Sequence, residues 1–323
     1  MKLTDTHLAH FQREGYVVVE NVLQGSDFEP LIHEYETTID QRARELHTAG
    51  ELSQLFKNEP FERRLACITE ETTAIYESMD IMIFRGQALF EFLKHPKLMD
   101  VITGVLGPDI LCSPIQHLRP KLPANLAYRG PLEGDARKEA EQRLTAFLGE
   151  HVAPWHQDAQ VHLDDGDPSF ILTVWIPMCD ATTENGCMEI IPRVHKRGMV
   201  YWTEGFGISE DRLPDRDATR AIPMNKGSVL LMHKLIPHRS TPNHTNRVRW
   251  SMDLRYQKVG TSTGREHYPN FVAHSDSNPN AVLTDYERWT TDWIEALERV
   301  KKTGWPTRQY RPTDPAPMAI QEA

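Results

Sequence analysis

Cysteine, long apolar runs and net positive charge are all scarce in this chain. Of its 323 residues only Cys67, Cys112, Cys179 and Cys187 are cysteines. No two stand as C-x-x-C or at zinc-ribbon spacing, which excludes a thioredoxin-like redox pair and a cysteine zinc site of that pattern. No apolar leader opens the chain, so the expectation is a cytoplasmic protein with reduced thiols. Every apolar run is broken by charge before the roughly 20 residues a membrane span needs, so no contact with a bilayer interior is expected. The 36 Lys and Arg stand against 46 Asp and Glu, a formal charge of -10. That balance repels nucleic acid and anionic membrane and leaves small molecules as the expected partners, with a homo-oligomer left open. Alternating βαβ units are missing too, which argues against a doubly wound sheet.

The composition that remains, 39% hydrophobic and 25% charged, belongs to an ordinary globular chain large enough for a real core. One domain over about residues 1–310 is expected. Its first layer, to about residue 109, reads as helical, with a short strand in "GYVVVENVL" (15–23). Two consecutive helices follow in "QALFEFLKHPKLMDVITGVLG", broken at His95-Pro96 and stopped by Gly107-Pro108. From Ile110 to about residue 260 the pattern changes to short β runs between turn residues: "DILCSPIQHL", "SFILTVWIPM", "GCMEIIPRVH", "KGSVLLMH" and "RVRWSMDLRYQ". Such runs predict an antiparallel sandwich or barrel. A helical insertion, 132–150, interrupts them, a last amphipathic helix is expected over about 283–302, and the Pro-rich 311–323 reads as a flexible tail.

Histidine is abundant, at 15 residues, and "PWHQDAQVHL" (154–163) gathers two of them around an aspartate. In an extended strand residues i and i+2 share a side, so His156 and Asp158 present an imidazole and a carboxylate together while Gln157 turns away. One further imidazole completes a two-histidine, one-carboxylate set, which leaves three positions open on a ferrous ion. The best candidate is His238, with His233 a weaker one. His162 reads as exposed or as lining a pocket mouth. After His238 a strand alternates cleanly: Arg247, Arg249, Ser251, Asp253 and Arg255 on one side, Val248, Trp250, Met252, Leu254 and Tyr256 on the other. Taken alone, it reads first as half-buried with a solvated polar side. The alternative turns that side into a barrel, with one arginine clamping a carboxylate.

The segments "LAHFQREGYVVVENVL", "WHQD", "VWIPMCDATTENGCMEIIPRVH" and "HRSTPNHTNRVRWSMDLRY" follow one another in an order and spacing that resemble the phytanoyl-CoA dioxygenase family of iron and 2-oxoglutarate-dependent oxygenases. The resemblance implies a mainly β fold with flanking helices: a double-stranded β-helix, or cupin-like jelly roll, with a helical N-terminal part. It also implies that His156, Asp158 and His238 ligate Fe(II). Arg249 and Ser240 would hold the far carboxylate of 2-oxoglutarate, with Trp175 beside it and O2 as the second cosubstrate. Arg247 shares the side of Arg249, and strand parity does not separate the two. The family's Gly-Ser before the histidine of the "IPRVH" segment is replaced here by Arg193-Val194, so the turn at His195 is expected to differ.

The implied activity is hydroxylation of a C–H bond of a small metabolite or natural-product scaffold, with release of succinate and CO2. Asp158 sits where halogenating relatives leave room for a halide, which favours hydroxylation over chlorination. Two other classes accommodate the same residues: a cupin-like metalloenzyme with another divalent ion and non-redox chemistry, and a non-catalytic jelly-roll binding protein. Lys121-Leu122-Pro123 matches a K-x-P strand end that the family places nearer the H-x-D, so the insertion at 132–150 is a family departure. It reads either as a lid over the substrate pocket or as a surface decoration or oligomer contact.

Overall fold

The computed structural model describes residues 2–200, 207–304 and 306. The tail 311–323 lies outside the described residues. Five helices precede the main β region: α1 (Asp5–Glu14), α2 (Gly25–Thr48), α3 (Phe61–Thr69), α4 (Gln87–Phe92) and α5 (Pro96–Leu106). Thr4 caps α1 by accepting from the His7 N–H, and Gly15, at φ 82°, ends it. Along α2 the buried residues Phe28, Leu31, Tyr35, Ile39, Ala43 and Leu46 recur every three or four positions, one apolar stripe facing inward. The break between α4 and α5 falls at His95-Pro96 as expected, with Pro96 opening the second helix.

A large antiparallel sheet has the order β1-β7-β4-β9-β2-β10, with β3 also paired to β9. These strands are β1 (Tyr16–Val19), β2 (Asp109–Cys112), β3 (His117–Lys121), β4 (Ile171–Pro177), β7 (Val229–His233), β9 (Arg249–Lys258) and β10 (Phe271–Ser275). A second sheet joins β6 (Arg220–Ile222), β5 (Met188–Ile190) and β8 (His238–Ser240). Two helices complete the described chain, α6 (Gly134–Glu150) and α7 (Tyr286–Thr303). Four boundaries differ from expectation: the first strand stops at Val19, "DILCSPIQHL" splits at 113–116 into β2 and β3, the insertion helix begins at Gly134, and the last helix begins at Tyr286.

Strand parity separates two cores. Val17, Val19, Leu172, Val174, Ile176, Leu231, Trp250, Met252, Leu254 and Tyr256 face the helices. The alternate residues Tyr16, Trp175, Leu230 and Met232 face the small sheet, where they meet Met188, Ile190 and Ile222. Trp250 shows how the helical layer is fastened: its ring stacks on Phe61 of α3 at 4.4 Å and meets Tyr35 of α2 at 6.1 Å. The polar side of β9 is therefore an inner side. The solvated-side reading of this strand is corrected, because Arg249, Ser251 and Arg255 are all buried, Arg255 under the segment that carries Asp158. No described helix is long and apolar enough to cross a membrane.

Candidate metal and cosubstrate site

Two backbone hydrogen bonds fix the centre of the site. His156 and His238, 82 positions apart, form an antiparallel bridge in which each N–H donates to the other's carbonyl, at 3.0 and 2.9 Å. Each imidazole then uses Nδ1 in the same way: that of His156 lies 2.8 Å from the Pro154 carbonyl and that of His238 2.9 Å from the Ile236 carbonyl. A carbonyl accepts, so each Nδ1 carries the proton and each Nε2 presents its lone pair to the space between the rings. Asp158 Oδ1 sits 3.8 Å from Nε2 of His156 and 3.9 Å from Nε2 of His238. Ligand atoms of the three residues all lie within 4.8 Å of one another, the only such group of three among the described residues.

The expectation of an extended H-x-D is corrected in part. His156 is extended, but Asp158 opens a 3₁₀ turn, Asp158–Val161, closed by the Gln160 side chain accepting from the Gln157 N–H. Gln157 does turn away, tying its amide to the carbonyls of Gly198 and Leu235. The turn carries the carboxylate beneath β4 and β9, where both its oxygens are held. Oδ2 accepts from the Thr173 hydroxyl and Oδ1 from Arg255 at 2.5 Å. Burial opposes ionisation of Asp158, but Arg255, His238 and His156 outweigh it, and the carboxyl stays far below its usual range. Burial, reinforced by His238, pushes His156 down to about 3, the neutral form a metal requires.

A second cluster lies on the same inner side. Register places Lys121 on β3 opposite Arg249 on β9. The Lys121 ammonium donates to Ser240 Oγ at 2.7 Å, reaching across to β8. Arg249 donates to the Ser251 hydroxyl, and its guanidinium carbon lies 5.2 Å from the Trp175 ring centre. Arg249 is 3% exposed and Lys121 7%, yet neither makes an ion pair with a described residue, and Arg249 Nε has no hydrogen-bond partner there. Burial, then Arg249 and Arg119, push Lys121 down to about 7; burial pushes Arg249 down to about 10. Two adjacent buried cations without a carboxylate among the described residues have a chemistry suited to an anion receptor.

The residues expected to act together, His156, Asp158 and His238 in one group and Arg249, Ser240 and Trp175 in the other, are carried by the same strands: His238 and Ser240 share β8, and Trp175 and Arg249 share the sides of β4 and β9 from which Thr173 and Arg255 hold Asp158. Arg247 is exposed ahead of β9, which separates it from Arg249. His233 stays outside the trio, its ring 5.0 Å from Phe170 and 5.3 Å from His195. The exposed alternative for His162 is corrected: it is buried, at 1% exposure, because the segment around Thr263 folds over it and accepts from Nδ1 at 2.9 Å. At the departure before His195, Arg193 adopts φ 67° and pairs with Glu14 at 2.9 Å, so an ion pair anchors a left-handed turn. Three participants were missed: Lys121, Thr173 and Arg255. Parity already put Arg255 on the polar side of its strand; its contact with Asp158 depends on a fold-level register.

The insertion α6 ends over the receptor. Its last turns supply Thr145, Leu148 and Gly149, which with Lys121, Pro242 and Asn243 line a cavity of about 270 Å³. Phe147 and His151 pack against the Tyr76 ring at 5.1 and 4.6 Å.

The phytanoyl-CoA dioxygenase (PhyH) family model matches residues 11–251, and the chain belongs to that family. It is 25% identical over 264 residues to phytanoyl-CoA dioxygenase domain-containing protein 1 of Bos taurus, covering 76% of this chain and 87% of that one. It is 31% identical over 116 residues to methylphosphonate hydroxylase of Gimesia maris, covering 35% of this chain and 42% of that protein's length. Among solved structures, the non-heme monooxygenase ThoJ aligns over 91% of this chain and 98% of its own, with a TM-score of 0.57 and 18% identity. That likeness shows a shared fold.

Proposed function

We propose that the chain is a non-haem Fe(II)- and 2-oxoglutarate-dependent dioxygenase, built on a double-stranded β-helix, that hydroxylates a C–H bond of a small molecule. The observation that carries this reading is one sheet side bearing two complementary sites: a buried His, His and ionised Asp trio, and a buried Lys121–Arg249 pair with no carboxylate of its own among the described residues. The first suits a divalent ion that keeps open positions; the second suits the far carboxylate of a dicarboxylic cosubstrate. A metalloenzyme without such a cosubstrate leaves the Lys121–Arg249 pair unexplained.

When bound, the iron and 2-oxoglutarate supply oxidative power, with decarboxylation to succinate and CO2 accompanying transfer of an oxygen atom to the substrate. The chain's residues prepare for this. His156 and His238 are held in one tautomer by the Pro154 and Ile236 carbonyls. Thr173 retains Oδ2 of Asp158, so the carboxylate offers a single oxygen toward the trio. Lys121, Ser240 and Arg249, with Trp175 against the Arg249 guanidinium, would hold the cosubstrate's far carboxylate. Anaerobic addition of Fe(II) and 2-oxoglutarate is expected to give a weak visible charge-transfer band that Asp158→Ala abolishes. A band retained in that variant overturns the ligand assignment.

A further inference from the structure

The inner side of the large sheet carries one more cation. Arg255 rests between two carboxylates, 2.5 Å from Asp158 and 3.3 Å from Asp253. Lys121 and Arg249 make the receptor described above. Arg119 remains, two residues before Lys121 on β3 and so on the same side. Register places it opposite Ser251, between Arg249 and Asp253 along β9. Each step along that side is about 6–7 Å, so Arg119 stands one step from the cosubstrate receptor and one from the carboxylate that flanks Arg255. It is exposed although it faces inward, so the chamber opens to solvent beside it.

Arg119 makes no ion pair or side-chain hydrogen bond with any described residue. Within its electrostatic reach are Lys121, His151, Tyr76 and one acid, Asp80. Asp80 is already engaged, 2.9 Å from the His117 ring nitrogen. Tyr76 is the neighbour that matters. Its ring is packed by Phe147 of the insertion and by His151 just after it, its hydroxyl makes no hydrogen bond to a described residue, and both Arg119 and Arg249 act on it electrostatically. A guanidinium on the inner side of β3 and a phenol O–H thus lie within electrostatic reach of each other, donors that make no side-chain hydrogen bond to an acceptor among the described residues.

We propose that Arg119 and Tyr76 form the seat for an oxyanion on the substrate, a carboxylate or a phosphonate-type group carried by a small molecule. The proposal deepens the dioxygenase reading and rests on it. One cosubstrate carboxylate satisfies Lys121 and Arg249, and Asp158 with Asp253 satisfy Arg255; a neutral substrate filling the mouth would strip water from Arg119 and give nothing back. An anionic group replaces that water with charge-assisted hydrogen bonds and tethers the molecule at the rim, leaving its carbon skeleton to extend toward Asp253 and the trio.

The test uses the full-length chain loaded with Ni(II), which is redox-silent, and 2-oxoglutarate. Four probes of matched carbon length are titrated by calorimetry: butyrate, propylphosphonate, propylammonium and propanol. Binding of one or both anions in preference to the ammonium and the alcohol is expected, and which anion binds more tightly distinguishes the two sources of the charge. Arg119→Gln is expected to weaken the anions about tenfold or more, with Arg119→Lys recovering part and Tyr76→Phe costing less. Equal binding of the neutral or cationic probe, anion binding that Arg119→Gln leaves intact, or displacement of 2-oxoglutarate by the anions would overturn the proposal. Failure of 2-oxoglutarate itself to bind the nickel-loaded wild type would instead strike the underlying reading, and the anion preference is then measured on the metal-free chain.

Discussion

Arg255 donates a 2.5 Å hydrogen bond to Oδ1 of Asp158, the same oxygen that faces Nε2 of His156 and of His238. Arg255 is 2% exposed and Asp158 is fully buried, so each depends on the other. Burial disfavours the charged guanidinium, but Asp158 and Asp253 outweigh it and hold Arg255 above its ordinary pKa. Removing one partner of a buried pair strands the other, at a cost of about 3–5 kcal/mol. Arg255→Met is therefore expected to lower the thermal midpoint of the metal-free protein sharply. A divalent ion beside Asp158 replaces the missing positive charge, so Mn(II) or Ni(II) should raise the midpoint of the variant by more than it raises that of the wild type. Equal metal-induced shifts in the two proteins would refute this role.

His233 and His238 stand five positions apart, yet only the second brings its Nε2 to Asp158, at 3.9 Å. His238→Ala is expected to abolish stoichiometric Ni(II) binding and 2-oxoglutarate-dependent succinate release. His233→Ala removes a ring packed on Phe170 and His195 and is expected to cost stability while one metal still binds. Calorimetric metal stoichiometry on the two folded variants decides between them.

If the buried Lys121, lowered to about 7 mainly by desolvation, receives 2-oxoglutarate as proposed, cosubstrate binding is expected to depend on pH. A carboxylate placed on this ammonium raises its pKa, so the complex holds more protons than the free protein between about pH 7 and the raised value. The association constant for 2-oxoglutarate should then fall as pH rises through that window, by up to about tenfold per unit, with proton uptake on binding. Below pH 7 the ammonium is charged in both states and the slope flattens. Lys121→Met should weaken binding and remove the slope, which calorimetry in buffers of different ionisation enthalpy measures directly; an unchanged slope would exclude Lys121.

The legible parts of the sequence were those fixed by local period. Alternation along 247–256 identified the two sides of β9 residue by residue, and Pro96 marked the start of α5. What alternation did not reveal was which side is enclosed, because that depends on distant segments, such as the one that carries Asp158, covering it. Trp250 against Phe61, and Arg255 against Asp158, are contacts between residues 189 and 97 positions apart, as 250 minus 61 and 255 minus 158 give. His162 was misplaced for the same reason: the Thr263 carbonyl that receives its proton comes from a distant loop.

The insertion's position changes what its removal should do. As a lid over substrate alone, α6 would be dispensable for uncoupled decarboxylation. Its last turns instead line the cavity beside Lys121 and brace Tyr76. Replacing 134–150 by a short Gly-Ser linker is expected to raise the KM for 2-oxoglutarate severalfold in uncoupled succinate release. An unchanged KM would return the segment to a role in substrate capture or surface contact.

Gly186 joins the conformational and chemical arguments in one residue. It follows Asn185 in the turn before β5 at φ 87°, where a β-carbon would lie 2.5 Å from the Thr241 carbonyl oxygen and 2.9 Å from Cδ and Cε of Lys121. Gly186→Ala therefore adds two costs: the left-handed backbone strain of about 1–2 kcal/mol that any L-residue meets there, and a collision with the chain that carries Ser240 and with the stem of the receptor lysine. Gly260 separates them, because it has the same φ of 87° and nothing within 4 Å of the added carbon. Both variants are expected to lose thermal stability. Only Gly186→Ala should also bind 2-oxoglutarate more weakly to the nickel-loaded protein, by about tenfold, the loss expected when one charge-assisted hydrogen bond is spoiled. Equal cosubstrate affinity in the two variants would mean that the Lys121 stem does not need the space that glycine leaves it.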